Sequence, residues 1–123
     1  MKVLLVDDSP DALFLLRKRL EKRKPFEVVG EASKGEDAIA KVEALRPDLV
    51  IMDVKMPGMD GVEATRQIKT RFPQVSVLAF SAFGDAENTA AMRDAGAVGY
   101  VLKDAPEEEL IMRLQDSRRP DPV

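Results

Sequence analysis

Several polar residues that could take part in chemistry come directly after short apolar runs of the sequence. They are Asp7, Asp8, Asp53, Ser81 and Lys103. Carboxylates brought to one place repel one another, and their pKa values rise unless a cation neutralises them. The chain has neither histidine nor cysteine. The expected cation is therefore one that oxygen ligands satisfy, with Mg²⁺ as the leading candidate.

A magnesium ion held by carboxylates indicates a phosphoryl substrate. Mg²⁺ keeps several waters and usually takes one or two carboxylates together with phosphate oxygens. Lys103 would offer positive charge to the phosphoryl group, and the hydroxyl of Ser81 would offer a hydrogen bond. The first apolar run ends in acids, not in a glycine-rich loop, which argues against a Rossmann or P-loop nucleotide domain. The pattern favours a site that receives phosphate on Asp53.

Each of these residues also has an ordinary structural explanation. An aspartate such as Asp53 often begins a turn, and paired acids after a strand often cap the next helix. Ser81 fits a turn, and Lys103 fits a solvated surface charge. These separate explanations do not account for the occurrence of all the residues at the ends of successive apolar runs.

Length and composition limit the class of protein. With 123 residues, of which 45% are hydrophobic and 33% charged, the chain fits one globular domain. Its net charge of −3 disfavours nucleic-acid binding by this chain itself. No apolar run is long enough to cross a bilayer, and an acid follows the first run too early for a signal peptide. A cytoplasmic location without membrane contact is the simplest expectation.

Five predicted strands alternate with five predicted helices. The strands are predicted over 3–6, 26–32, 49–52, 75–80 and 98–102, and the helices over about 10–24, 35–46, 60–72, 85–95 and 106–117. This alternation predicts an α/β fold, a parallel sheet with helices on both faces. Ligands of such sheets gather outside the carboxyl ends of the strands, where the strand order reverses.

The fourth predicted helix contains almost no large apolar residue other than Met92. Its inward positions should be mostly alanines such as Ala86 and Ala90, so we expect it to bury little surface and to move easily. We expect the folded domain to span residues 1–117. Residues 118–123, with two prolines and two arginines, are expected to form a tail or the start of a linker.

These motifs resemble the receiver domains of bacterial two-component response regulators over nearly the whole chain. The matching segments are LLVDDSP at 4–10, LVIMDVKMPGMDG at 49–61, AFSA at 79–82 and GYVLKDAPEEEL at 99–110. The segments GEAS at 30–33 and GYVLKDA look most like the subfamily with a LuxR-type helix-turn-helix output. The resemblance implies a flavodoxin-like, doubly wound (βα)5 fold with strand order 2-1-3-4-5.

The resemblance also implies a role for each site residue. Asp53 would accept a phosphoryl group from a sensor histidine kinase, a phosphotransfer protein or a small phosphodonor. Asp8, Asp53 and the backbone carbonyl of Lys55 would hold Mg²⁺ directly, and Asp7 would act partly through water. The phosphoryl oxygens would contact Ser81, the backbone of Ala82, and Lys103. Ser81 and Tyr100, the single tyrosine, would form the switch.

Phosphorylation is expected to change the surface around the fourth helix, the fifth strand and the fifth helix, where a partner or a second copy could bind. The chain would be a phosphoacceptor that assists its own phosphotransfer and slow dephosphorylation, not an enzyme. A departure from many receivers is Asp104, which follows Lys103 where proline is common.

Two alternative functions remain open at this stage. A phosphatase of the haloacid dehalogenase type also uses an aspartyl phosphate, but it needs a second acid where this chain has Lys55. A receiver-like scaffold that works without phosphorylation is the other alternative, and the complete set of site residues argues against it.

Overall fold

The computed structural model describes residues 1–117; the predicted tail at 118–123 lies outside the described residues. The strands are β1 (Lys2–Val6), β2 (Glu27–Ala32), β3 (Leu49–Met52), β4 (Ser76–Ser81) and β5 (Gly99–Leu102). The helices are α1 (Pro10–Glu21), α2 (Gly35–Leu45), α3 (Gly61–Arg71), α4 (Ala86–Ala95) and α5 (Glu107–Asp116).

The strands form one parallel sheet in the order β2-β1-β3-β4-β5. This confirms the expected flavodoxin-like order. The order reverses between β1 and β3, which pair directly, with Val6 opposite Met52. The residues that follow these two strands therefore lie side by side, at the position where open α/β sheets bind ligands.

The core has one layer on each face of the sheet. Alternate residues of β3 supply both layers: Val50 and Met52 pack with α2, α3 and α4, whereas Leu49 and Ile51 pack with α1 and α5. All the side chains of β3 are at most 1% exposed. A continuous apolar run is what a strand covered on both faces requires.

Most helix ends follow the sequence signals. Ser9 caps α1 by accepting a hydrogen bond from the backbone N–H of Ala12 at 3.2 Å, and Pro10 occupies the first helical position. Helix α1 ends at Glu21, three residues before its predicted end at Lys24. Pro25 disfavours helical geometry at Lys24, so the helix does not reach its predicted end.

Helix α4 is the element on which the sequence interpretation was wrong in detail. Ala86 and Ala90 are exposed, and the buried residues are Met92 and Ala95. The two alanines belong to an i, i+4 row that faces solvent, because the packed face follows Met92 instead. A single large side chain anchors the helix.

No helix among residues 1–117 has the length and apolar character needed to span a membrane.

Candidate functional site

Strands β1 and β3 place two buried acids next to each other. Asp7 follows β1 and is 4% exposed, and Asp53 follows β3 and is 6% exposed. The N–H of Asp7 donates to the carbonyl of Ala32 at 3.0 Å, and the N–H of Asp53 donates to the carbonyl of Val6 at 2.9 Å. Both acids therefore continue the backbone pairing of the sheet, which fixes their positions.

Lys103 reaches both acids from the end of β5. Its Nζ lies 2.6 Å from Oδ2 of Asp7 and 3.5 Å from Oδ2 of Asp53. Its backbone N–H donates to the carbonyl of Ser81 at 2.8 Å. The sheet thus joins residues 96 positions apart in the sequence. A lysine that is paired with two buried acids is no longer explained as a solvated surface charge.

The site perturbs the ionisation of its members. Burial raises the pKa of Asp53 to about 6, with the negative charge of Asp7 acting in the same direction and Lys103 acting against both. Burial works to lower the pKa of Lys103, but the hydrogen bond to Asp7 and the charges of Asp53 and Asp7 outweigh burial and raise it. The ionised form of Asp53 is therefore disfavoured, chiefly by burial and secondly by the charge of Asp7.

Asp7, Asp8 and Asp53 form an acidic cluster whose ligand oxygens lie within 4.8 Å of one another. Both oxygens of Asp7 are engaged, because Oδ1 accepts from the N–H of Ser9 at 2.9 Å and Oδ2 from Lys103. Asp8 is exposed and accepts no hydrogen bond from the described residues. The cluster therefore has free oxygens on Asp8, and all its donors suit a hard cation.

Ser81 lies at the same edge, but its hydroxyl is directed to the loop over residues 82–85 and not to the acids. Its side chain is fully buried, and Oγ accepts a hydrogen bond from the N–H of Phe83 at 3.0 Å. The carbonyl of Phe83 accepts a hydrogen bond from the hydroxyl of Tyr100. One loop residue therefore connects the two predicted switch residues through its two backbone groups.

The remaining predicted residues lie around this edge. Ala82 is exposed and follows Ser81 directly, and Lys55 is exposed in the loop after β3. Tyr100 is partly buried and packs against the core layer of α2, α3 and α4. The structure thus brings the acids and Lys103 into contact, whereas Tyr100 is connected to them only through Phe83 and Ser81.

Sequence analysis did not identify the connecting role of Phe83. Its contacts are made by the main chain, whose hydrogen bonds do not depend on the identity of the side chain. The phenyl ring is 52% exposed. The available signal was a large apolar residue in a predicted loop. A single such residue is common at protein surfaces and does not by itself indicate a role.

Gly61 is the first residue of α3 and lies against the backbone of the site. A Cβ atom at this position would lie 2.0 Å from the carbonyl oxygen of Asp53. The N–H of Gly61 donates to the carbonyl of Val54 at 2.8 Å. Helix α3 therefore begins against the backbone of Asp53, and only glycine allows this approach.

A family profile and a curated relative match most or all of the chain. A family profile described as "Response regulator receiver domain" matches residues 3–115. The chain is 38% identical over its full length to the response regulator protein VraR of Staphylococcus aureus, and it spans 59% of the length of VraR.

Solved structures are similar over nearly the whole chain. One is a LuxR-family two-component response regulator from Aurantimonas, at 32% identity and a TM-score of 0.90, covering 94% of this chain and 82% of the other. Another is the isolated REC domain of RcsB from Salmonella enterica serovar Typhimurium with phosphomimetic BeF3⁻. This match has 30% identity and a TM-score of 0.85, and it covers 99% of this chain and 93% of the other.

Proposed function

The chain belongs to the family of response regulator receiver domains, and on this premise we propose that it is a switch controlled by phosphorylation of Asp53. The observation that carries the proposal is the position of Asp53. It is a buried acid at the strand-order reversal, with Lys103 at 3.5 Å and an acidic cluster around it. The raised pKa of Asp53 supports the proposal, because burial and neighbouring charges often shift the pKa values of functional groups.

The acidic cluster fits Mg²⁺, since all its donors are oxygens and histidine and cysteine are absent from the chain. We propose Asp8, Asp53 and the backbone carbonyl of Lys55 as direct ligands. Asp7 would act partly through water, in agreement with the hydrogen bonds that occupy both of its oxygens. When bound, Mg²⁺ supplies positive charge that neutralises the acids and the oxygens of an incoming phosphoryl group.

The proposed transfer needs no general base. An oxygen of the ionised Asp53 carboxylate attacks phosphorus, and a new P–O bond forms as the bond from phosphorus to the donor breaks. The electron pair of that bond leaves with the donor, either the imidazole of a phosphohistidine or the carboxylate of acetyl phosphate. Lys103, the hydroxyl of Ser81 and the N–H of Ala82 would stabilise the phosphoryl oxygens.

In the proposed switch, the phosphoryl group and the N–H of Phe83 compete for the hydroxyl of Ser81. A phosphoryl group adds about −1.5 to −2 charge beside Asp53. We propose that the hydroxyl of Ser81 turns towards it and releases the N–H of Phe83. The loop over residues 82–85 then shifts, the hydroxyl of Tyr100 loses its place on Phe83, and the ring moves inward. Helix α4, held by one large side chain, responds first among the neighbouring elements.

Partners and output are proposed from the family. A sensor histidine kinase or phosphotransfer protein would supply the phosphoryl group, in the cytoplasm. Because the chain spans 59% of the length of VraR, we propose that its function in a whole protein includes a LuxR-type DNA-binding output. Pairing of two copies on phosphorylation is part of the same hypothesis. The reading frame after Val123 would test the predicted output directly.

The phosphorylation site can be tested with Mg²⁺ and acetyl phosphate. We expect intact mass spectrometry to show one added phosphoryl group on the wild type and none on Asp53→Asn. The matched control is Asp37→Asn, which removes a partly exposed acid from the first turn of α2. This variant should be modified like the wild type. Equal modification of Asp53→Asn would contradict the assignment. Loss of modification when Mg²⁺ is chelated would support the metal requirement.

A further inference from the structure

The loop that joins β3 to α3 is held mainly by the packing of side chains. We call residues 53–60 the β3–α3 loop. Among the residues that the structure describes, none makes a hydrogen bond with the backbone of residues 55–59. The carbonyl of Lys55, which we propose as a metal ligand, lies in this stretch. Its position therefore depends on how the neighbouring side chains pack.

Three apolar side chains of the β3–α3 loop pack against the core. Val54 is 1% exposed and Met56 is 8% exposed, and Met59 is partly buried against the core layer of α2, α3 and α4. Between the two methionines, Pro57 and Gly58 are exposed, and no atom lies within 4 Å of a Cβ atom added at Gly58. Met59 is therefore the side chain that holds the outer part of the loop.

Met59 packs on Gly35, the buried first residue of α2. A Cβ atom at Gly35 would lie 2.9 Å from Cγ, 3.0 Å from Cβ and 3.0 Å from the carbonyl oxygen of Met59. The first of these atoms belongs to a flexible side chain, but the other two move only with the backbone of Met59. An alanine at position 35 would therefore push the loop away from α2 by a few tenths of an ångström.

The helix itself does not explain a glycine at this position. Gly35 does not have a positive φ, and alanine is the better helix former. Lys34, the N-cap residue, makes no side-chain hydrogen bond to the first turn of α2. The close approach of Met59 is therefore the feature that requires a residue without a side chain.

We propose that Gly35 and Met59 are positioning residues for the metal site. Their contact fixes the outer part of the β3–α3 loop and, through it, the carbonyl of Lys55. The fixed φ of Pro57 limits how far the turn can absorb a shift of Met59. Mg²⁺ requires near-ideal octahedral geometry, so its ligand distances tolerate deviations of only about 0.2 Å. The inference rests on the proposed function, because it assumes that this carbonyl binds Mg²⁺.

Calorimetric titration with magnesium chloride tests the proposal directly. We expect Gly35→Ala to bind Mg²⁺ at least about fivefold more weakly than the wild type, because the loop is displaced. The matched control is Gly30→Ala in β2, whose added Cβ atom would lie 2.8 Å from Cδ1 of Leu45 and 3.3 Å from Cδ1 of Leu4. This variant also crowds the core but does not touch the loop, so its Mg²⁺ affinity should stay within about twofold of the wild type.

Amide NMR spectra of the metal-free proteins give a second measurement that does not depend on Mg²⁺. The signals of Lys55 and Met56 should shift in Gly35→Ala and stay in place in Gly30→Ala, because only the first substitution displaces the loop. Urea unfolding in the same buffer shows whether both variants are folded. Equal Mg²⁺ affinity of Gly35→Ala and the wild type, or equal losses in the two glycine variants, would overturn the proposal.

A double-mutant cycle tests whether the two residues act through their contact. Met59→Ala removes the outer atoms of the side chain that holds the loop, so it should also weaken Mg²⁺ binding. In the doubly substituted Gly35→Ala/Met59→Ala protein, the loss of affinity should be smaller than the product of the two single losses, because effects of residues in contact are not additive. A loss equal to that product would mean that the two residues act independently, against the proposal.

The same measurements separate this proposal from the proposed function. If the wild type binds no Mg²⁺ at millimolar concentrations, the metal site is wrong, and the NMR shifts alone decide whether Gly35 positions the loop. If the wild type and both glycine variants bind Mg²⁺ equally well, the metal site stands and the positioning role of Gly35 is wrong.

Discussion

The two sides of the candidate site are built differently. On one side, Asp7 and Asp53 continue the pairing of β1 and β3, and the strands beneath them are buried on both faces. On the other side, Ser81 meets an exposed loop over residues 82–85, followed by a helix with one large buried side chain. The acids follow strands that are buried on both faces, whereas the loop is exposed and α4 has only one large buried side chain.

This difference suits the two tasks of the switch that we propose. A group that receives phosphate must be held in a fixed geometry, and packing around β1 and β3 supplies that. A surface that reports phosphorylation needs a second arrangement of similar free energy, and elements with little buried apolar area have one more readily. Apolar burial extends along β1, β3 and β4, whereas the loop over residues 82–85 is exposed and α4 adds one large buried side chain.

Among the substitutions considered, Gly61→Ala should have the largest effect on the side of the site that contains Asp7 and Asp53. The added methyl group would meet the carbonyl oxygen of Asp53 at 2.0 Å, and backbone atoms cannot move aside as a flexible side chain can. We expect a loss of about 3 kcal/mol or more in the free energy of unfolding. Urea unfolding measures this loss, and phosphorylation by acetyl phosphate should fall in parallel.

Gly58→Ala is the matched control for this substitution. Gly58 has a φ of +74° and no atom within 4 Å of an added Cβ. Its substitution should cost only the conformational penalty of about 1 kcal/mol. Equal losses for both variants would mean that the contact between Gly61 and Asp53 does not constrain the site.

Asp53→Asn tests how much the ionised carboxylate of Asp53 lowers the free energy of unfolding. The pKa of Asp53 is about 6 in the fold against 3.8 as the ordinary value. An acid whose pKa is higher in the folded state than in the unfolded state favours folding when it is protonated. This contribution is complete below the pKa of the unfolded state and is lost as the pH rises through about 6. Without Mg²⁺, the variant should therefore be more stable than the wild type at pH 7.5, by at most about 3 kcal/mol.

Urea unfolding at different pH values measures this effect. The difference between the two proteins should be small near pH 4 and reach its full size above about pH 6. Mg²⁺ should reduce the difference by stabilising the wild type. A difference that did not depend on pH would show that ionised Asp53 carries no electrostatic cost.

Ala90→Gly tests whether α4 opens by itself. Ala90 is exposed inside the helix, so glycine removes about 1 kcal/mol of helix propensity without creating a cavity. If α4 opens locally, hydrogen exchange of its amides should become about fivefold faster, while exchange in β1 and β3 stays unchanged.

Ala40→Gly in α2 is the corresponding control. Ala40 is also an exposed alanine within a helix, but α2 buries Ile39 and Val42 in the core. We expect this variant to lower the free energy of global unfolding with little local effect on α2. The same exchange pattern for both variants would remove the distinction between the two sides of the site.

The smallest expected effect is that of Tyr100→Phe. The substitution removes the hydrogen bond to the carbonyl of Phe83, at a cost of about 0.5 kcal/mol for a partly exposed group. Hydrogen exchange of the Phe83 amide should become faster, since Phe83 loses one of its two backbone hydrogen bonds to Ser81 and Tyr100. The Asp53 amide, which pairs with Val6, serves as the internal reference and should not change.

The sequence predicted the parallel sheet correctly, for a physical reason, and the roles of the acids stay predictions. The apolar runs of β1 and β3 specify strands buried on both faces, and a parallel sheet brings the carboxyl ends of its strands to one edge. The identities of Asp7, Asp53 and Lys103 then indicated the chemistry that we propose. The inward face of α4 was predicted wrongly, because alanine is compatible with both packed and exposed positions.

The sequence by itself determined which groups are available, in what order they occur and that they meet at one sheet edge. Tertiary structure alone decided how they are connected: Lys103 lies between Asp7 and Asp53, and Phe83 joins Ser81 to Tyr100. It also decided that Gly61 must be glycine, since an added Cβ atom would meet the backbone of Asp53. Side-chain type is written in the sequence, whereas backbone hydrogen bonds and close approaches depend on how the elements pack.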